Sequence, residues 1–310
     1  MRLLVTGASG FVGAHLCSWL ARCGHEVTML SRDGVVDEQI DICDADALHR
    51  AVAARRPEGI FHLAAIAYVP EAEGDAERAH RVNVDGTRNL LDAAANVGAR
   101  VLFVSTGAVY GDGAGSTPPF HEDAPLRPLG VYARTKADAE AECIARSQRQ
   151  AIVRVRPFNH TGPGQAPSYA CSGFAKQIVE VELGVRAPIV EVGDLEAERD
   201  FCDVRDIVRA YALALESGEA GAVYNVCSGA PTRIGDILAA LLDLASLKIE
   251  IRTDRKRLRD CEPSRLWGSN GRIATTLGWR PEITLRRTLA DMLDWWRERL
   301  REESHTDGTR

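Results

Sequence analysis

The chain has 310 residues, with 38 Lys and Arg against 44 Asp and Glu and a formal net charge of −6. It has no basic excess to neutralise phosphates, which argues against a nucleic-acid binder. Apolar residues make up 45% and charged residues 26%, the balance of a soluble globular chain of one large or two coupled domains, and no apolar run nears the roughly 20 residues needed to cross a bilayer.

Residues 2–6, rich in Leu and Val, predict a short buried strand that runs into Gly7-Ala8-Ser9-Gly10-Phe11-Val12-Gly13 with no cleavage-type end. An amphipathic helix through Leu16, Trp19 and Leu20 follows. Glycines at 7, 10 and 13 suit a tight turn, close backbone approach to a pyrophosphate and a helix N-terminus aimed at the anion. A Gly-rich loop alone says little. Between a strand and a helix it predicts a dinucleotide site, with Phe11 and Val12 in the same turn. Residues 26–30 predict a second strand, whose end ordinarily carries the reader of the adenine ribose. Here that end is Leu30-Ser31-Arg32-Asp33, with no carboxylate at the tip. Arg32 would welcome a 2′-phosphate, which favours NADP(H) over NAD(H), or it is a solvated partner of Asp33; both readings stand. Asp41 and Ile42 open a short acidic stretch where an adenine edge could be read.

Residues 59–65 predict a buried strand ending in Leu63, Ala64 and Ala65, small enough for a cofactor to lie against the backbone. His62 within it reads as a packed strand residue rather than a catalyst. A helix is predicted over 83–97, and a strand over 100–105 that ends in Ser105-Thr106-Gly107-Ala108. A loop then leads to a helix bearing Tyr132 and Lys136, and a strand over 151–156 is stopped by Pro157. Tyr132 and Lys136 are four positions apart, one helical turn. An ammonium beside the phenol would draw its pKa down from about 10, so that Tyr132 could give or take a proton at a carbonyl or alcohol.

The alternation of strand and helix means a parallel sheet covered on both faces, a Rossmann-type doubly wound α/β fold. Ligands of such sheets lie beyond the carboxyl ends of strands, where Gly7, Ala64, Thr106 and Asn159 all fall. After Pro157 the pattern loosens into a smaller substrate-binding α/β region: a loop over 159–165, a helix near 173–183, a stretch 193–201, helices over 204–215, 234–244 and 285–300, and a strand over 223–226. The expected division is 1–160 plus 201–228 for the dinucleotide and 161–200 plus 229–300 for a second ligand, with 301–310 a polar, disordered tail. Trp295 and Trp296 read as cover for a core. The basic cluster Arg252, Arg255, Lys256, Arg257 and Arg259 is either a solvated run or a seat for a diphosphate. Eight cysteines with no C-x-x-C pair argue against a zinc or redox centre and for reduced, packed thiols in a cytoplasm.

Taken together these motifs resemble the extended short-chain dehydrogenases that act on nucleotide sugars, over roughly residues 1–300. The matching residues are Gly7, Gly10 and Gly13, then His62-Leu63-Ala64-Ala65, Asn83-Val84, Thr106, Tyr132 and Lys136. The resemblance implies that Tyr132 is the acid/base, that Lys136 tunes it and binds the nicotinamide ribose, and that Thr106 hydrogen-bonds the reacting oxygen. Within the family the chain is most similar to reductases of GDP-bound 4-keto-6-deoxy-mannose. That likeness rests on Arg156-Pro157-Phe158-Asn159-His160-Thr161-Gly162-Pro163, on Glu198-Arg199-Asp200-Phe201 and on Asn225-Val226-Cys227-Ser228-Gly229. It implies a cofactor against Pro157 and Asn159, and a nucleotide sugar held by Thr106, Gly107, Tyr132, Asn159, Arg199 and Arg257. It also implies a homodimer formed through the helices near 85–97 and 132–147. The chain departs from the pattern at Gly268-Ser269-Asn270 and at Ser172-Gly173. A sugar-nucleotide 4-epimerase needs the same three catalytic residues and is the alternative; a non-catalytic NADP-binding sensor is a remote one.

Overall fold

The computed structural model describes residues 1–112, 117–245, 247–254 and 265–307. In chain order the strands are β1 (Arg2–Thr6), β2 (Glu26–Ser31), β3 (Glu38–Gln39), β4 (Gly59–His62), β5 (Arg100–Val104), β6 (Ile152–Pro157), β7 (Asn159–Thr161), β8 (Ile189–Val192), β9 (Glu198–Asp203), β10 (Val223–Val226), β11 (Pro231–Arg233), β12 (Glu250–Thr253) and β13 (Arg265–Leu266). The α-helices are α1 (Phe11–Arg22), α2 (Ala45–Arg55), α3 (Val69–Gly74), α4 (Ala76–His80), α5 (Gly86–Val97), α6 (Gly130–Arg146), α7 (Ala170–Glu182), α8 (Val204–Ser217), α9 (Ile234–Ala245), α10 (Gly271–Leu277) and α11 (Leu285–Asp307).

Seven strands form one parallel sheet in the order β10-β6-β5-β4-β1-β2-β3. The chain winds outward from β1 through β2 and β3, then crosses to β4 on the other side, so the direction of winding reverses between β1 and β4. That reversal opens a crevice at the carboxyl ends, where doubly wound sheets bind ligands. Strand composition follows from burial: Leu3, Leu4, Val5, Ile60, Phe61, Val101, Leu102 and Phe103 are all closed off from solvent. One core lies on the α1 and α8 face, through Leu16, Leu20, Ile207 and Leu215. The opposite core lies under α2, α5 and α6, through Leu48, Val52, Leu90, Leu91 and Cys143.

A third core joins α7, α9 and α11, with Phe174, Ile178, Leu238, Met292 and Trp296 at its centre and Trp295 packed at its edge, as the sequence suggested. Ser172 is fully buried here: its hydroxyl donates to the Gln165 carbonyl at 2.5 Å and accepts from Trp296 Nε1 at 3.1 Å. Gly173 is tight as well, since a Cβ there would lie 2.6 Å from the Pro167 carbonyl oxygen. The unusual Ser172-Gly173 start of α7 therefore serves packing.

Several elements differ from the reading of the sequence. Asn83 sits in a π-helical turn, Arg81–Asp85, and regular helix begins only at Gly86. α11 continues to Asp307, past Arg301 where a disordered tail was expected, and an Arg299–Glu303 pair at 2.9 Å spans the extension. β7 arises where a loop was expected, β8 and β9 where no strand was assigned, and β9 pairs with β7, β11 and β13 in a small second sheet. β9 carries four charged residues in six, yet only Glu198 is not fully buried, because its carboxylates find partners. Asp200 accepts from Ser228 N at 2.6 Å, Ser228 Oγ at 2.7 Å and Gly229 N at 2.9 Å. Of the predicted basic cluster, Arg252 lies on β12 beside Glu250 at 3.1 Å; Arg255, Lys256, Arg257 and Arg259 fall outside the described residues.

Candidate active site

A cleft of about 1450 Å³ opens at the carboxyl end of the sheet. Small-molecule sites typically span about 300–1,000 Å³, so the cleft has room for a dinucleotide and a second ligand. Its walls include Gly7, Gly10, Phe11, Val12, Gly13, Arg32, Asp41, Ile42, Leu63, Ala64, Ala65, Thr106, Gly107, Tyr132, Lys136, Pro157, Asn159 and Arg199. The structure thus brings the sequence-predicted site residues to one place, apart from Arg257, which lies outside the described residues.

The Gly-rich loop is built for close approach. Gly7 sits at φ +71, and a Cβ on it would lie 2.8 Å from Ala64 N. A Cβ on Gly13 would lie 2.2 Å from the Gly7 carbonyl oxygen, so α1 is pressed against the loop. No side chain caps the N-terminus of α1, which leaves its first N–H groups aimed at the cleft for an anion. At the end of β2, Ser31 Oγ lies 2.7 Å from Ser9 Oγ, and Arg32 reaches Asp33 at 3.4 Å while staying largely exposed. Asp41 accepts from Cys43 N at 2.9 Å, which fixes the turn below the cleft. These features fit a dinucleotide: glycine backbone for the pyrophosphate, an open helix end, and an exposed Arg32 beside Asp33 just past the strand tip.

His62 is buried between Thr6 Oγ1 at 2.8 Å and Thr87 Oγ1 at 3.0 Å. Thr6 accepts from Ala64 N and Thr87 donates to the Asn83 carbonyl, so Thr6 donates to Nδ1 and the proton sits on Nε2. Burial holds the ring neutral, its pKa pushed down to about 3. His62 therefore braces β4, as its place in the strand suggested. Asn83 does similar work: its side chain accepts from Ile66 N at 2.8 Å and donates to Ile66 O and to Thr135 Oγ1 at 2.9 Å. The π-turn is thereby tied to α6 between Tyr132 and Lys136.

Thr106, Tyr132 and Lys136 come together at the ends of β5 and α6. Their electrostatics correct the expectation from spacing. Burial pushes the Tyr132 phenol up to about 12, opposed by the facing Thr106 hydroxyl and reinforced by the nearby Tyr169. Lys136 does not offset this. Its ammonium stands 4.5 Å from the centre of the Phe103 ring, and burial lowers its own pKa to about 8, against the pull of Cys143 and Glu140. The phenol therefore stays protonated at neutral pH and is not a poised phenolate.

Beneath the three residues lies a buried ionic network the sequence reading missed. Glu140, one turn after Lys136, is wholly closed off; it accepts from Ser105 Oγ at 2.8 Å, from Arg154 at 3.0 Å and from Arg156 at 2.6 Å. Arg156 also donates to Tyr110 Oη at 2.9 Å and to the Glu122 carbonyl at 3.0 Å, and Tyr110 donates to Asn225 Oδ1 at 2.7 Å. A single carboxylate thus cross-braces β5 just before Thr106, α6 just after Lys136, and β6 just before Pro157. The signal was present in Arg154 and Arg156, two cations in a short apolar strand that can be buried only against an anion.

Residues 3–227 match the model of the NAD dependent epimerase/dehydratase family. The chain belongs to that family. It is 40% identical to GDP-6-deoxy-D-mannose reductase of Pseudomonas aeruginosa, covering 97% of this chain and 99% of that one. It is 32% identical to UDP-glucose 4-epimerase of Mycolicibacterium smegmatis, covering 96% and 99%. Among solved structures, RMD from Pseudomonas aeruginosa complexed with NADPH superposes with a TM-score of 0.88 at 38% identity, covering 96% and 99%. Fold and family are therefore as the sequence motifs implied, and the cleft sits where a family of nicotinamide-dependent enzymes has its chemistry.

Proposed function

We propose that this protein is an NADPH-dependent reductase of the 4-keto group of GDP-4-keto-6-deoxy-mannose. The observation that carries the reading is the residue after Thr106. Gly107 and Ala108 carry no acid/base group, and Gly107 is crowded, a Cβ there lying 2.9 Å from the Phe158 ring, so the position lacks the acidic pair with which family dehydratases remove water across C5 and C6. With no second acid/base at that point, Tyr132 and Thr106 are left with one carbonyl oxygen to serve. Likeness to a GDP-6-deoxy-D-mannose reductase supports the substrate. Exposed Arg32, just past the end of β2, supports NADP(H), with NAD(H) the weaker fit.

The cofactor, when bound, supplies a hydride. Tyr132, protonated at neutral pH, donates its proton to the reacting oxygen, and Thr106 orients that oxygen by a hydrogen bond. Lys136 binds the nicotinamide ribose, and Asn159 and Arg199 hold the nucleotide sugar with Gly107 leaving space beside it. The same reading assigns 1–160 plus 201–228 to the cofactor and 161–200 plus 229–300 to the nucleotide sugar. It includes a homodimer through α5 and α6, supported by Ile144, an apolar α6 side chain half exposed to solvent. It also includes a cytoplasmic setting, supported by seven free thiols among the described cysteines.

The test is stoichiometry. With GDP-4-keto-6-deoxy-mannose the protein should oxidise one NADPH per sugar reduced, followed by loss of absorbance at the nicotinamide band. Interconversion of sugar epimers with no net cofactor consumption would replace the reading with the 4-epimerase. Release of a 4-keto-6-deoxy product from GDP-mannose alone would overturn it in favour of a dehydratase.

A further inference from the structure

Two tyrosines that the motifs do not include touch each other in the wall of the cleft. Tyr68 precedes α3, in the segment that leaves the cofactor-side strand β4. Tyr169 precedes α7, whose apolar face belongs to the C-terminal core. Their ring centres are 5.7 Å apart at 67°, an edge-to-face contact. Both rings line the cleft, and Tyr169 is 38% exposed, so each keeps surface for another partner.

Both share the cleft with Tyr132. The Tyr132 ring packs on Ile66, Ala72 and Ala79, the small core formed by α3 and α4 beneath Tyr68. Tyr169 is near enough to bias the Tyr132 phenol. The ring pair therefore borders the space occupied by whatever presents its oxygen to Tyr132.

The chemistry around the pair narrows the occupant. Glu71 and Glu73 line the same end of the cleft. Glu71 is paired with Arg78 at 3.0 Å, and Glu73 accepts from Val131 N at 2.6 Å at the start of α6. Two carboxylates make this end unfavourable for a diphosphate, because like charges brought together cost affinity. The adenosine end of the cofactor belongs at Arg32 and Asp41, far along the Gly-rich loop. What suits half-exposed phenol rings is a ligand with both C–H faces and hydroxyls, since a tyrosine offers an apolar face and a polar tip. A 6-deoxy-hexose, with a methyl group in place of a hydroxyl, has that character.

We propose that Tyr68 and Tyr169, as one edge-to-face pair, form the wall against which the hexose ring of the nucleotide sugar is seated with its carbonyl carbon at Tyr132. This rests on the functional reading above. It makes the two residues determinants of sugar binding, each drawn from a different core, so that sugar affinity depends on how the two parts of the chain meet.

The test is calorimetric binding to wild type, Tyr68→Ala, Tyr169→Ala and Tyr169→Phe, with three ligands: NADPH, GDP, and GDP-4-keto-6-deoxy-mannose in the presence of NADP⁺, which blocks turnover. Each alanine variant should weaken the keto sugar nucleotide by about tenfold, the size of an aromatic contact, and leave GDP and NADPH unchanged. Tyr169→Phe, which keeps the ring, should retain most of the affinity. Both residues sit at the cleft surface, so unfolding is not expected, and unchanged NADPH binding reports an intact fold. Equal weakening of GDP and the sugar nucleotide would assign the rings to the base and overturn the inference. So would a selective loss of NADPH affinity, or no change with any ligand. A wild-type protein that binds NADPH but neither guanine ligand would instead overturn the functional reading on which the inference rests.

Discussion

Glu140→Gln is the substitution that probes the architecture of the site most directly. The Glu140 carboxylate is completely buried and meets Arg154 at 3.0 Å, Arg156 at 2.6 Å and Ser105 Oγ at 2.8 Å. Glutamine keeps the shape and one acceptor oxygen but leaves two guanidiniums closed off with no anion. Removing one partner of a buried pair costs about 3–5 kcal/mol. For a chain of 310 residues that corresponds to roughly 5–8 °C in Tm, measured by calorimetry or dye-based melting. The pH dependence follows from the same contact. Burial alone would raise the Glu140 pKa, but hydrogen bonds and charge from Arg156 and Arg154, with Ser105, bring it below the ordinary value. A carboxylate held low in the fold stabilises above its unfolded pKa, and that contribution disappears as pH falls through the folded value. The Tm gap between wild type and Glu140→Gln should therefore be full at neutral pH and close below about pH 4. A neutral-pH shift under 1–2 °C, or a gap that is constant down to strongly acid pH, would refute the claim that this one carboxylate braces β5, α6 and β6.

Further expectations concern the residues above that network. Tyr132→Phe removes the proton donor and keeps the ring, so turnover should fall about 100- to 10,000-fold with NADPH affinity little changed, as read by single-turnover kinetics and cofactor fluorescence; near wild-type turnover would remove Tyr132 from the chemistry. Lys136→Met should lower both rate and cofactor affinity, and the double variant should be little worse than the poorer single one if the pair acts as a unit. Lys136 also predicts a stability signature: its pKa is about 8 in the fold against an ordinary 10.5, so the unfolded chain binds more protons between those values and stability should rise with pH across that window. Lys136→Met should abolish that rise. In Gly13→Ala the new Cβ would lie 2.2 Å from the Gly7 carbonyl oxygen, so dinucleotide binding should be lost in titrations even if the protein still folds.

The parts of the molecule legible in the sequence are those governed by local rules. The Gly-rich turn follows because only glycine tolerates Gly7 at φ +71 against the backbone of Ala64. Strands β1, β4, β5 and β6 follow from short apolar runs closed on both faces, and β10 was delimited to the residue, whereas the edge strand β3, Glu38–Gln39, has no such run and was not foreseen. What was not legible depends on distant partners. β9 looks like a charged loop until Asp200 meets the Ser228 and Gly229 backbone N–H groups. Arg154 and Arg156 look misplaced until Glu140 is seen between them. Tyr68 and Tyr169 are about a hundred positions apart and share no motif, so only the fold makes them neighbours.

The tyrosine–lysine spacing shows how a correct local inference can carry an incorrect electrostatic one. Four residues along α6 do place Tyr132 and Lys136 on one face, and both line the cleft. An ammonium lowers a phenol pKa only if it is charged and close, and the fold sets both conditions. Here Lys136 rests on the Phe103 ring and burial has already drawn its pKa to about 8. The phenol loses more from burial than Thr106 restores, and ends near 12. A phenol that holds its proton at neutral pH is ready to donate to an oxygen gaining negative charge, as in carbonyl reduction. The reverse step, which needs phenolate to take a proton from an alcohol, would first have to remove that proton at a cost of about 1.4 kcal/mol for each pH unit below the pKa. The same burial that defeats the simple spacing rule therefore keeps Tyr132 protonated, holding the proton that carbonyl reduction needs while making it a weaker acid than a free tyrosine.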